Sequence, residues 1–301
     1  MPRRARQSRP RSRCTWCGGI ANSREDVIPR WLLKRLVELY GPGVVKRRAG
    51  LIDDPERVRV DTKQSLRLRL PIVCHECNTG WMHRLEEDTI PILRPMLGPI
   101  ALPMGVAELR TLGFWAAKTT IMLQGANRKL GLPIPHEHIS AIYNARDLRP
   151  CVLPDQLTVW LAKHRGQSVG LAYLVAFSVE GLGSLEPAAE GHRYWVGLRI
   201  GTVAFHILGH TLPPADAQVT TMSPSLVQIW PPGLHQIEWS PQQSFNDHEF
   251  EELARTALPN ANWQRGGIWM PPRLGARAPT SVRSLPSSTM TTPSRMRLAS
   301  T

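Results

Sequence analysis

The sequence predicts an α+β fold in three consecutive parts: a small metal-braced unit, a helical connection, and a mostly antiparallel β-sheet region. Three observations lead there. Two identical Cys-x-x-Cys pairs, Cys14/Cys17 and Cys74/Cys77, bracket the first part. From Val106 to Gln124 the residues Leu109, Leu112, Ala116, Thr120 and Leu123 keep helical period. Beyond them, short β-type segments follow one another through turns such as Ile200-Gly201-Thr202, too brief for a parallel crossover.

Taken in order, residues 1–13 form a basic arm expected to be disordered, and residues 14–104 form the metal-braced unit. Within that unit Trp31, Leu32, Leu36 and Leu39 recur at helical spacing over Arg30 to Tyr40, stopped by Gly41-Pro42-Gly43. Between Val44 and Val73 the pattern becomes alternating, with Val58, Val60, Leu66, Leu68 and Leu70 interleaved with Arg57, Arg59, Arg67 and Arg69. A hairpin with one basic face is expected, joined by Lys46, Arg47 and Arg48. A second helix is expected from Trp81 to about Leu93, before a Pro- and Gly-rich linker. Residues 105–270 hold the connecting helix, strands over 157–162, 170–179, 193–200, 202–208 and 226–230, and a last amphipathic helix over 245–258. Residues 271–301 are rich in Pro, Ser, Thr and Arg and are expected to be disordered.

The formal charge is +13, but six arginines sit in the arm and five in the tail, neither of which carries an acid, so the body is nearly neutral. Such ends suit phosphates through counterion release, and they suit plain solvation equally well. No window approaches the roughly 18 apolar residues of a membrane helix, and the basic start leads into no apolar segment of a secretory signal. A soluble, cytoplasmic protein with no membrane partner is expected. In that reducing compartment cysteines point to metal or thiol chemistry, and Cys151, alone beside apolar residues, is given no role.

Each C-x-x-C turn presents two thiolates from one tight knuckle, and two knuckles complete the tetrahedron that Zn²⁺ prefers. Cys14, Cys17, Cys74 and Cys77 are therefore the expected metal ligands. A four-thiolate zinc has no vacant position, so its role is structural. The 56 residues between the pairs form a long insert, whose closure cost grows only slowly with length.

In Cys14-Thr-Trp-Cys17, Ser23-Arg24-Glu25-Asp26-Val27-Ile28-Pro29-Arg30-Trp31-Leu32 and Cys74-His-Glu-Cys77-Asn78-Thr79-Gly80-Trp81-Met82, the chain resembles the four-cysteine, zinc-braced HNH endonucleases over about residues 14–95. A weaker echo lies in Phe114-Trp115-Ala116-Ala117-Lys118-Thr119. The resemblance implies a treble-clef, ββα-like zinc module and metal-dependent hydrolysis of DNA with Mg²⁺ or Mn²⁺. It implies that Glu25 and Asn78 lie near that metal, that Asp26 handles water, and that the basic residues Lys46, Arg47, Arg48, Arg57, Arg59, Arg67 and Arg69 contact phosphates. Two departures stand out: Asp26 occupies the place of the family's base His, and the intervening structural Asn is missing. An Asp with an ordinary pKa near 3.9 is a weaker base than imidazole at neutral pH.

Other readings of the same residues stay open. Ser23 to Asp26 equally fits a helix N-terminus with Ser23 as cap. Trp31 and Trp81 fit core anchors, and His136 and His138 fit an exposed loop. His75 and His83 fit exposed polar positions, although either can replace a cysteine ligand. At the level of function, a catalytically inactive module that holds nucleic acid on the same scaffold competes with the nuclease. A zinc-stabilised domain that recognises a protein partner through the C-terminal sheet competes with both.

Overall fold

The computed structural model describes residues 12–41, 45–51, 59–63, 69–126, 134–165, 169–180, 191–211, 225–232, 236–239, 244–257 and 262–270. They form a mixed helix and sheet architecture with a cysteine cluster near the N-terminal end. Strand β1 (Ser23–Asp26) precedes helix α1 (Arg30–Tyr40), so the cap reading of Ser23 to Asp26 gives way to a strand. Leu32 and Leu36 of α1 are fully buried, as their spacing predicts. Gly41 ends the helix at φ 82°, a left-handed conformation that glycine adopts without a Cβ clash.

Strands β2 (Val45–Leu51), β3 (Arg59–Lys63) and β4 (Arg69–Val73) follow. The next helical segment comes in three pieces: α2 (His75–Cys77), a π-turn over Asn78–Met82, and α3 (His83–Met96). It starts before Trp81, because Cys74 caps it. Strand β5 (Leu102–Met104), the long helix α4 (Val106–Ala126) and helix α5 (His136–Ala145) lead into the strands of the C-terminal half. These are β6 (Leu157–Lys163), β7 (Val169–Glu180), β8 (Gly191–Ile200), β9 (Val203–His210), β10 (Val227–Trp230) and β11 (Ile237–Trp239). Helix α6 (Asp247–Ala257) and strand β12 (Asn262–Met270) complete the order.

Eight strands pair antiparallel in the order β10-β6-β9-β8-β7-β12-β2-β3, as the short turns predict for the C-terminal part. Alternation along them makes two faces. Leu157, Val159, Leu161, Tyr194, Val196, Leu198, Val203, Phe205 and Ile207 point to the main core. There Trp115 of α4 meets Phe205 at 6.0 Å between ring centroids. Helix α4 is buried on most sides from Leu112 to Leu123, which is how a helix looks when it is the centre of a core. The opposite face stacks Trp160 on Trp195 at 5.6 Å and is covered by α6, whose Phe250 rests where Gly197 has no side chain.

The expected basic hairpin does not form as one unit. β2 pairs with β3 and with β12 in the large sheet, whereas β4 pairs with β1 in a separate two-stranded sheet. Arg59 and Arg69 therefore stand in different sheets, because alternation marks a strand without naming its partner. Lys46, Arg47 and Arg48 lie on β2 and Arg59 on β3, at the edge of the large sheet. Arg57, Arg67, the tail 271–301 and all but residues 12 and 13 of the arm lie outside the described residues. His138 corrects another expectation: it lies in α5, is buried and shares a 2.8 Å hydrogen bond with the Tyr194 hydroxyl, whereas His136, which opens the helix, is exposed as expected.

Candidate metal centre and motif strand

The first knuckle is a tight hairpin closed by a bridge between Arg13 and Ile20. The Cys14 N–H donates to the Gly19 carbonyl at 2.7 Å and the Gly18 N–H to the Cys14 carbonyl at 3.0 Å. Gly18 takes φ 72°, which the turn requires and a side chain would oppose. The knuckle is tied to β4 by the Thr15 N–H and hydroxyl, both donating to the Ile72 carbonyl, at 2.8 and 3.1 Å. The second knuckle is the first turn of the following helix. Its Cys77 N–H donates to the Cys74 Sγ at 3.4 Å, and its His75 N–H donates to the Asn22 carbonyl oxygen, Oδ1, at 2.7 Å.

These contacts bring Cys14, Cys17, Cys74 and Cys77 together with their ligand atoms all within 4.8 Å of one another. None is in a disulfide. Tetrahedral Zn²⁺ with bonds near 2.3 Å sets sulfurs about 3.8 Å apart, and Cys17 Sγ lies 3.6 Å from Cys74 Sγ. Burial pushes the Cys77 thiol up to about 11 and raises Cys74 as well. Burial raises Cys14 too, but backbone hydrogen bonds from Cys17, Cys74 and Trp16 outweigh it and hold that thiol below its ordinary value. Four closely set sulfurs, fed by backbone amides and free of disulfides, fit a metal ion such as zinc. His75 and His83 are exposed and stand outside the cluster.

Beneath the sulfurs, Trp16 meets Trp81 edge to face at 4.9 Å, and Trp81 meets Phe114 of α4 at 6.3 Å. Trp81 is thus the buried anchor expected of it, whereas Trp31 is only partly buried. From the other side comes α5. Burial and the neighbouring Cys77 push the Tyr143 phenol above its usual value, and the Arg146 guanidinium lies 4.0 Å over the Tyr143 ring.

The motif residues of β1 divide between two faces, as neighbours in a strand must. Asp26 accepts from Arg30 Nε and Arg69 Nε, each at 3.1 Å. Glu25 is buried, 3.8 Å from the Lys118 ammonium. Asn78, at the helix start, donates from Nδ2 to the Ser23 hydroxyl at 2.7 Å, which sets it beside the motif strand. Burial raises the Glu25 carboxyl to about 7, with Lys118 pulling it down and Glu86 and Asp26 pushing it up.

One residue of this arrangement carries only a faint signal in the sequence. Lys118 is completely buried and donates to Glu86 Oε1 at 2.9 Å, so α4 places a cation between a carboxylate of β1 and one of α3. Lys118 lies in the Phe114 to Thr119 segment, whose echo of the family is its only hint. A second polar group sits under α6: Arg199 bonds both His164 Nε2, at 3.1 Å, and Asp247. Near it, His206 is enclosed by Trp195, Phe245 and Phe250. No helix among the described residues is long and apolar enough to cross a membrane. No family model, curated protein or solved structure matches the chain.

Proposed function

We propose that the chain is an HNH-endonuclease-like protein whose N-terminal unit is a treble-clef module, braced by structural zinc, that engages nucleic-acid phosphates. One observation carries this reading. A knuckle, the antiparallel pair β1 and β4, and a helix that opens with the second pair of thiols follow in that order, and Asn78 meets Ser23 of the motif strand at 2.7 Å. Lys46, Arg47, Arg48 and Arg59, on adjacent strands at one edge of the large sheet, supply cations for phosphates without reading bases.

The arrangement favours holding over cutting. Hydrolysis by this type of site needs oxygen ligands converging on one Mg²⁺ or Mn²⁺ and a base at the attacking water. Asp26 is bonded to Arg30 and Arg69, and Glu25 faces Lys118 on the other side of the strand. Those oxygens point to opposite sides of the strand and do not make a shared cation site. Cleavage stands as the second reading, and what favours it is the buried Glu25 carboxyl on the motif strand, which burial raises to about 7, toward the range suited to a general base.

The test is DNA binding across a salt titration together with plasmid nicking in Mg²⁺ or Mn²⁺ against EDTA, on the wild type, Asp26→Ala and Asp26→His. Salt-sensitive binding without nicking by the wild type, and nicking by Asp26→His, is the expected result. Nicking by the wild type that Asp26→Ala abolishes establishes the hydrolase instead. Absence of binding even at low salt ends the nucleic-acid reading and leaves the C-terminal sheet and a protein partner.

A further inference from the structure

We propose that Cys17 is an oxidation site, at which hydrogen peroxide converts the thiol cluster into a Cys17–Cys74 disulfide that keeps the two knuckles joined after the metal has left. The inference rests on the thiol cluster and is independent of any action on nucleic acid.

The four sulfurs are not equivalent. Cys14, Cys74 and Cys77 are buried, and Cys17 alone is exposed. Two glycines follow it: Gly18 has no atom within 4 Å of where a Cβ would sit, and a Cβ on Gly19 would lie 3.3 Å from Cys17 Sγ. The absence of side chains there leaves an approach to this sulfur. Exposure and thiolate character decide which cysteine meets an oxidant first. The resolving partner is already in place, since Cys74 Sγ lies 3.6 Å away on the other knuckle. Both sides are anchored, by Thr15 to the Ile72 carbonyl and by the Cys77 N–H to Cys74 Sγ, so the sulfurs need only close to about 2.05 Å.

The chemistry balances in two displacements. The Cys17 thiolate attacks one peroxide oxygen, forming an S–O bond and breaking the O–O bond, and hydroxide leaves. The Cys74 thiolate then attacks the Cys17 sulfur, forming the S–S bond while a second hydroxide leaves. Peroxide is reduced to two waters by two electrons from the two thiolates, with two protons taken from solvent. A metal stripped of two of its four ligands departs. A bridge inside either knuckle would also release the metal, but it would leave the knuckles unconnected. The cross-knuckle bridge holds them.

The experiment treats the full-length protein with a few equivalents of hydrogen peroxide. Zinc release is followed with a chromophoric chelator, tryptophan fluorescence reports on Trp16 and Trp81, and unreduced peptides are mapped by mass spectrometry. A Cys17–Cys74 cross-link, zinc release in step with it, and retained fluorescence are expected. Cys17→Ser, which lacks one of the four thiols, should lower the yield of peroxide-induced cross-links to Cys74 at least tenfold, with Cys151→Ser as the control that does not. The proposal is overturned if Cys14–Cys17 or Cys74–Cys77 bridges dominate, or if peroxide leaves the zinc in place. If the protein purifies without zinc, the metal reading fails separately and the cross-link map alone decides. If Cys17→Ser does not fold, the wild-type map decides as well.

Discussion

Lys118 reaches Glu86 across α3 and α4 with a 2.9 Å hydrogen bond, and the lysine side chain has no exposed surface. A fully buried lysine needs a partner, and this one has a second carboxylate, Glu25, at 3.8 Å. Removing the cation leaves Glu25 buried and Glu86 part-buried without it; breaking a buried pair costs about 3–5 kcal/mol, and toward the low end where one carboxylate keeps some solvent and the other can take up a proton. Lys118→Met should therefore lower the unfolding free energy by about 3 kcal/mol in urea titrations. Glu25→Gln should cost less, because Glu86 still holds the lysine. A loss below about 1 kcal/mol for Lys118→Met contradicts the bond seen here.

Metal content gives the second prediction. The purified protein should carry close to one zinc per chain, and Cys74→Ser should lose it. A site occupied at about a thousand times its dissociation constant adds about 4 kcal/mol, worth on the order of 10 °C in a chain of this size. Calorimetry with and without a chelator measures the difference. A metal-free protein that melts at the same temperature removes the zinc reading.

His206 makes the third. Its ring nitrogens have no hydrogen-bond partner among the described residues, and the ring is wholly buried among Trp195, Phe245 and Phe250. Burying such a group costs about 1–3 kcal/mol, so His206→Phe should raise stability by about 1 kcal/mol or more. Burial also lowers His206 to about 3, and burial and Arg199 lower His164 to about 4. Below an unfolded value near 6.5, the unfolded chain then binds more protons than the folded one, so stability falls as pH drops from there toward 4. Glu25, raised to about 7, works the other way between its unfolded value and 7. His206→Phe should remove about one proton, or about 1.4 kcal/mol per pH unit, from the slope measured between pH 6 and 5 in excess zinc. An unchanged slope means that His206 is not shielded as described.

The fourth concerns how α5 is seated. A Cβ on Gly209 would run into the Tyr194 ring, whose hydroxyl bonds His138. Gly209→Ala should cost about 2–3 kcal/mol by overpacking and should loosen α5, visible as faster amide exchange at Ile139 to Tyr143. Restoring the cavity with Tyr194→Phe should recover little, because the clash begins at the ring itself.

The elements whose signals are local were readable in advance. Leu32 and Leu36 at helical spacing, closed by Gly41, place α1, and the short turn at Gly201 and Thr202 fixes β8 and β9 as antiparallel neighbours. The four cysteines were also readable, because duplication of a two-ligand turn is itself the signal. What sequence could not supply was partnership. Lys118 looks like any surface lysine until Glu25 and Glu86 are set around it by two other elements. The Arg57 to Arg69 stretch alternates as a hairpin would, yet β3 goes to one sheet and β4 to another. His138 follows a Pro-rich segment that reads as loop, and only the buried Tyr194 hydroxyl explains its place.

Strand β2 lies between β3 and β12, with Lys46 opposite Trp269 and Leu51 opposite Gln264. A growing chain must therefore leave one side of β2 open until roughly 220 more residues have been synthesised. During that interval β2 has no β12 to pair with on that side, and it carries three positive charges, of the kind that discourage pairing between exposed strand edges.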